Sequence, residues 1–283
     1  EGSRFPPDMM GSLVFVGGLP IETAMQSRDS DGRSVGEELD RIGYGGPVPC
    51  PRPAPRAFVE LHIEQGPVLE TEGVTIGAVS GVQGISWQRV TITGEANHAG
   101  TTPMALRHDA GFAAARTATF VRELALTLGG TQVATVGSLD LHPDLVNVVA
   151  DRADLTVDLR NTDETTLREA EQRLATFLDE LSDSEGVEIT TQGLARFEPV
   201  SFDDDIIERV ERHATQLGHS VRRLPAGAGH DAQMLARVCP AGMVFVPSHE
   251  GISHNPAEFT ERDDLAAGAD VLLNLLVELA EEH

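Results

Sequence analysis

The sequence predicts an α/β fold in two parts: an outer α/β domain interrupted by a complete βαββαβ unit of the ferredoxin-like kind. Three observations lead there. The stretch from about residue 83 to 198 reads strand, helix, strand, strand, helix, strand by hydrophobic period. The flanking segments, 1–82 and 199–283, each hold pieces of an α/β pattern that is incomplete alone. Hydrophobic residues are 40% of 283, enough for a substantial core, and with aromatics at 4% that core must be aliphatic.

The elements follow in order. Residues 1–33 are rich in Gly and Asp, with Leu13 to Val16 as a strand candidate, and Ser34 to Gly43 reads as a short helix. A proline at every second position from Pro47 to Pro55 forbids helix and central strand there. Ala57 to Glu64 alternates, with Val59, Leu61 and Ile63 on one side and Glu60, His62 and Glu64 on the other. In the inserted unit, Ile85 to Gly94 is a strand. Asp109 to Leu128 is a helix whose apolar positions are Phe112, Ala115, Ala118, Phe120 and Leu124. Gln132 to Leu141 and Leu145 to Arg160 are strands. Thr162 or Asp163 caps a helix to about Leu181, with Leu167, Ala170, Leu174 and Leu178 as its stripe. Val187 to Leu194 is the last strand of the unit. Ser201 to Leu217 is then a capped helix, and Met243 to Val246 a strand. Thr260-Glu261-Arg262-Asp263 resembles a capping box before a long helix to Glu282.

Composition excludes several functions. A net charge of −24 disfavours nucleic acid and anionic membrane surfaces as partners. All 21 basic residues are Arg, so chemistry that needs a Lys, such as a Schiff base or a Walker-type loop, is ruled out. Cys50 and Cys239 stand in no metal-type spacing and form no disulfide framework, which fits a reducing, cytoplasmic setting. No apolar run is long enough to span a membrane.

Candidate chemistry sits in a few segments. His98 lies among small residues in Glu95-Ala-Asn-His-Ala-Gly-Thr-Thr-Pro-Met-Ala-Leu-Arg107, where a ring on a tight turn can reach a ligand. His62 lies near the end of a strand, where open α/β sheets place ligands, between two carboxylates that suit a metal ligand with orienting partners. The ordinary alternative is a charged surface strand. His254 occupies a Gly-Ile-Ser-His-Asn-Pro loop, with Glu258 in reach of its other ring N–H and His249 as a rival; a turn His without a partner is equally compatible. Gly227-Ala-Gly-His-Asp-Ala232 offers backbone N–H groups to an oxygen, a weak signal alone. Arg160 is either a salt-bridged strand residue or a fork for a carboxylate, and Asn147 lies on the same strand pair. His108, His142, His213, His219 and His283 read as surface residues, and Trp87 as packing.

Glu60-Leu-His-Ile-Glu-Gln-Gly-Pro67, Ala96-Asn-His-Ala-Gly-Thr-Thr-Pro-Met104, Gly227-Ala-Gly-His-Asp-Ala232 and Gly251-Ile-Ser-His-Asn-Pro256 together resemble the hydantoinase/carbamoylase branch of the M20 metallohydrolases. That branch includes N-carbamoyl-L-amino-acid hydrolases, β-ureidopropionases and allantoate amidohydrolases. The motifs stand in family order over essentially the whole chain. The resemblance implies a zinc-aminopeptidase-like catalytic domain, a lid that also makes a homodimer, and hydrolysis of a non-peptide C–N bond in a small ureido or carbamoyl acid. It implies two divalent ions, of Zn, Mn, Co or Ni, with Glu1, His62 and His254 as ligands. It also implies that Gln65, His98, Asn147, Arg160 and Gly229 contact the substrate, with Arg160 on its carboxylate and His98 on the oxyanion.

The departure is at the start. The family has a ligand His, a bridging Asp and a Glu-Glu pair, of which the first Glu is the general base. This chain begins at the second Glu, so it is expected to be an incomplete catalytic domain with poor metal affinity and negligible turnover. Two other functions stay open: an M20 aminoacylase or peptidase, and a non-catalytic binding or dimerisation module. Ile85-Ser86-Trp87 bears on substrate choice. No additional Arg accompanies it, which tilts the expectation from allantoate towards simpler carbamoyl amino acids.

Overall fold

A computed structural model describes residues 2–282. In chain order it forms α1 (Met10–Phe15), α2 (Ile21–Gln26), α3 (Val35–Arg41), β1 (Phe58–Ile63), α4 (Val68–Glu72), β2 (Ile76–Val82), β3 (Gly84–Thr93), α5 (Ala110–Leu128), β4 (Val133–His142) and β5 (Arg152–Asn161). It continues with α6 (Glu164–Glu185), β6 (Glu188–Phe197), β7 (Val200–Ser201), α7 (Asp204–Gln216), β8 (Val221–Ala226), α8 (Asp231–Leu235), β9 (Ala241–Val246) and α9 (Arg262–Glu281). The chain divides into two compact units, residues 1–82 with 200–283, and residues 83–199. No helix among the described residues is long and apolar enough to cross a membrane.

The first unit is built on a mixed five-stranded sheet, β1-β9-β2-β7, with β8 also on β2. β1 and β9 run parallel in unbroken register from Phe58↔Ala241 to Ile63↔Val246. β9 is buried at every position and β2 at all but one, so both read as continuous apolar runs rather than alternating ones. The core joins these strands to Ile206, Ile207 and Val210 of α7 and Val271 and Leu275 of α9. α9 lies close to the sheet because Gly268 has no side chain: a Cβ there would stand 2.5 Å from Val246 Cγ1 and 2.7 Å from Leu61 Cδ1. Glu278 ties α9 to α7 by accepting from Arg209, Arg212 and His213.

The second unit is a four-stranded antiparallel sheet, β4-β5-β3-β6, with α5 and α6 as its crossovers, in the ferredoxin-like order. β5 alternates strictly, with Ala153, Leu155, Val157 and Leu159 buried against the helices. Asp163 caps α6 by accepting from Thr166 N, and the expected stripe of Leu167, Ala170, Leu174 and Leu178 is buried.

Several local expectations fail. Leu13 to Val16 belongs to or ends helix α1, not a strand; a four-residue apolar run has no period to distinguish the two. On α5 the buried face is Ala110, Ala113, Ala114, Thr117, Val121 and Leu124, while Phe112 is 51% exposed. Small alanines let α5 approach the sheet, and Phe112 was a misleading marker of its inner face, whereas Phe120 does pack against the core. β5 begins at Arg152, not Leu145, because residues 145–151 form a loop. Ser201 lies in β7, and α7 starts later, capped by Asp203. No capping box opens α9; Thr260 Oγ1 donates to Pro247 O instead. His213 is no surface residue: its side chain is 12% exposed and its Nε2 lies 2.6 Å from Glu278.

Substituting Gly268→Ala should push α9 off Leu61 and Val246 and cost about 1–3 kcal/mol, as overpacking does. Urea unfolding measures it, and an unchanged midpoint would show that α9 is not held by this contact.

Candidate metal and substrate site

The parallel pairing of β1 with β9 brings the two loops that follow these strands side by side. The ladder continues through Glu64 N to Val246 O, 2.9 Å. Gln65 N then donates to Oγ of Ser248, which is wholly buried. Gln65 adopts a left-handed backbone, φ 57°, as does His254, φ 55°. Non-Gly residues hold that conformation at a cost of order 1–3 kcal/mol, and such strain gathers at functional sites. Gly251, φ 65°, packs its Cα face on Pro67, where any side chain would clash.

His62, at the end of β1, is half-buried, and its Nδ1 lies 2.8 Å from Ile63 O. A carbonyl only accepts, so Nδ1 carries the proton and Nε2 keeps its lone pair, the form that binds a metal. The His62 and His230 rings meet edge-on with centroids 4.6 Å apart. Glu60, His62 and His230 form a group whose ligand atoms lie within 4.8 Å of one another and could hold a metal ion. Within it Glu60 is better suited to orient than to ligate. Its Oε2 accepts Ala232 N at 2.9 Å and its Oε1 lies 3.6 Å from His230 Nδ1. Burial pushes the Glu60 carboxyl up, but His230, the Ala232 N–H and His62 bring it below its ordinary value. His230 is 4% exposed, and its Nε2 is buried with no hydrogen-bond partner among the described residues. A buried polar atom left so is costly, which fits a metal or ligand atom bonded to that nitrogen.

The other carboxylate flanking His62 has a different task. Glu64 accepts from Val68 N and Leu69 N, both at 2.8 Å, and closes the start of α4. His254 is exposed and stands outside the tight group. Glu258 receives its backbone N–H at 3.2 Å and the Ser253 hydroxyl at 2.7 Å. Ser253, the His254 N–H and the nearby His254 and His62 rings hold the Glu258 carboxyl below its ordinary value. His249 pairs with Glu70 at 3.2 Å. The side of Gly229 faces Met9 Cε, 3.0 Å from where a Cβ would stand. Glu1 lies outside the described residues.

In the second unit, His98 and Asn147 are brought together. His98 bridges Val148 antiparallel, Ala99 N donates to Asn147 O and Val149 N to Asn97 O. Arg107 holds this loop through Ala99 O and Thr102 O. His98 has the opposite tautomer to His62: Gly100 N donates to its Nδ1 at 3.0 Å, so in the neutral ring Nε2 bears the proton. Arg160 is paired with Asp158 and lies 5.8 Å over the Trp87 ring. It sits at the far end of β5, opposite Ile85 and Val133. Arg196 stands opposite Ser86 in the ladder, with its guanidinium on Glu164 and Glu171 of α6.

Sequence reasoning missed His230 as the partner of Glu60 and missed Ser248 and Ser253 as supports; it named Glu258 for the His254 ring, whereas Glu258 takes the His254 backbone N–H and the Ser253 hydroxyl. The His-Asp pair after Gly227-Ala-Gly was the available signal for His230, but its partner is 170 residues away in sequence, counted from Glu60.

Fold and site together define a mixed-sheet α/β protein with a His-carboxylate group suited to a divalent metal. The profile of peptidase family M20/M25/M40 matches residues 1–278, and the chain belongs to that family, which is metal-dependent. It is 39% identical over 286 residues to an N-carbamoyl-L-amino acid amidohydrolase of Geobacillus stearothermophilus, covering 99% of this chain and 69% of that protein. It is 38% identical over 282 residues to an allantoate amidohydrolase of Escherichia coli strain K12, again covering 99% and 69%. The crystal structure of an amidase of the hydantoinase/carbamoylase family from Burkholderia multivorans superimposes with a TM-score of 0.96 at 41% identity, over 100% of this chain and 69% of that one. At family level this is a hydrolase of carbon–nitrogen bonds other than peptide bonds.

Glu60→Ala should leave the Ala232 N–H and His230 Nδ1 facing no acceptor. The expected loss is about 1–3 kcal/mol in urea unfolding, with faster amide exchange at Ala232. Unchanged exchange there would refute the orienting role.

Proposed function

We propose that the protein hydrolyses the carbamoyl C–N bond of an N-carbamoyl amino acid or a similar ureido acid at a divalent-metal centre anchored by His62. The observation that carries this is the His62 ring, fixed by Ile63 O so that Nε2 keeps the lone pair, beside a buried His230 Nε2 that nothing among the described residues satisfies. The donors are nitrogen and carboxylate oxygen, a set that accepts Zn, Mn, Co or Ni. His254 and Glu1 complete the ligands in this proposal, with His230 beside His62. The bound ion supplies Lewis-acid stabilisation of the charge that develops on the carbonyl oxygen.

The remaining roles fall to side chains of this chain. His98 donates through Nε2–H to the developing oxyanion, the task its tautomer suits. Asn147, Gln65 and Gly229 position the ureido group. Arg160, oriented by Asp158, grips the carboxylate. His98 and Asn147 stand at one end of the second unit's sheet and Arg160 at the other, roughly 25 Å away at strand rise. One small ureido acid cannot touch both ends of one sheet. We therefore propose that the unit is a lid and dimerisation domain, and that a substrate meets Arg160 of one copy and His98 of another.

Two measurements test this. Isothermal titration with Mn²⁺ or Zn²⁺ should show a site that His62→Ala abolishes and His230→Ala weakens about 10–100-fold; binding that survives His62→Ala refutes the metal assignment. In the full-length protein, His98→Ala and Arg160→Ala should each release almost no ammonia from N-carbamoyl-L-amino acids. Mixed after dissociation, they should recover roughly a quarter of wild-type activity if the site is shared in a two-fold dimer. No recovery places both residues in one chain's site.

A further inference from the structure

A chain of hydrogen bonds beside His62 has a fixed polarity, and it decides which end of one amide faces the substrate. Gln65 Nε2 lies 3.0 Å from Ser253 Oγ, and Ser253 Oγ lies 2.7 Å from Glu258 Oε2, which also accepts the His254 N–H. The Glu258 carboxylate can only accept, so the single hydroxyl hydrogen of Ser253 is committed to it. Ser253 therefore meets Gln65 through a lone pair, and Gln65 must present its NH₂ group. A flipped amide would set its oxygen against that lone pair with no hydrogen between them. The rest of the residue is equally constrained: its backbone is left-handed and its N–H is spent on buried Ser248. The Gln65 amide cannot turn over without breaking the chain. Its Oε1 has no donor among the described residues and is the atom it offers outward.

We infer that Ser253 and Glu258 are positioning residues that lock Gln65 with its amide oxygen towards the substrate, and that this oxygen selects the NH₂ of a carbamoyl group over the methyl of an acyl group. This rests on the proposed hydrolysis of ureido acids. An acceptor oxygen pairs with a ureido N–H and is left unpaired against a methyl, and a site built to hydrogen-bond one polar group rejects the analogue that lacks it. Neither Ser253 nor Glu258 touches the substrate in this account.

The experiment compares kcat/KM for an N-carbamoyl and an N-acetyl derivative of the same L-amino acid in the full-length protein. Wild type should favour the carbamoyl compound strongly. Ser253→Ala frees the amide to turn, and Glu258→Gln, nearly isosteric, can donate as well as accept; each should lower the ratio about tenfold or more, chiefly through the carbamoyl substrate. Ser253→Thr keeps the hydroxyl and should restore the ratio. If Ser253→Ala and Glu258→Gln slow both substrates equally and leave the ratio untouched, the inference fails while the proposed function stands. A wild type that shows no preference for the carbamoyl compound overturns both.

Discussion

The parallel pairing of β1 with β9 is the constraint on which the first unit's chemistry depends. Six residues in unbroken register deliver both strand ends to one edge of the sheet. The ladder then passes into side chains, from Glu64 N on Val246 O to Gln65 N on Ser248 and Gln65 Nε2 on Ser253. Residues almost 190 positions apart thereby become neighbours. Gly268 and Gly251 serve this arrangement by omission, one letting α9 lie on the strands and the other letting the His254 loop lie on Pro67. Ligand placement at the carboxyl ends of parallel strands is the general rule for such sheets.

Proton placement is as specific as position. The protein spends a carbonyl on His62 and a backbone N–H on His98, and the two imidazoles emerge with opposite character. One keeps a lone pair and the other an N–H, the forms that the proposed metal and oxyanion roles call for. Glu60 and Glu258 act one step further out, each fixing a neighbour through acceptor-only oxygens. Hydrolysis of a neutral C–N bond needs both kinds of group, because negative charge gathers on an oxygen that begins uncharged.

Much of this was legible in the sequence, for physical reasons that differ by element. α6 announced itself because Asp163 and a regular leucine stripe agree. β3 to β6 were legible as an order of elements because the antiparallel unit buries one face and alternates. α1 was not, since its apolar run is too short to carry a period, and α5 was misjudged because its inner face is alanine. Motifs marked His62, His98 and His254 and the carboxylates near them in sequence, yet not what those carboxylates do. Glu64 looked like a companion of His62 and instead caps α4, while Glu60 serves a ring from a distant segment. Contacts of that separation leave no local periodicity to read.

The account stands or falls on His62 as a metal ligand. Crystals grown with Mn²⁺ or Zn²⁺ and measured at the metal's absorption edge would answer directly. An anomalous peak about 2.0–2.2 Å from His62 Nε2 is the result expected. A peak elsewhere, with that nitrogen bonded only to water, would contradict it.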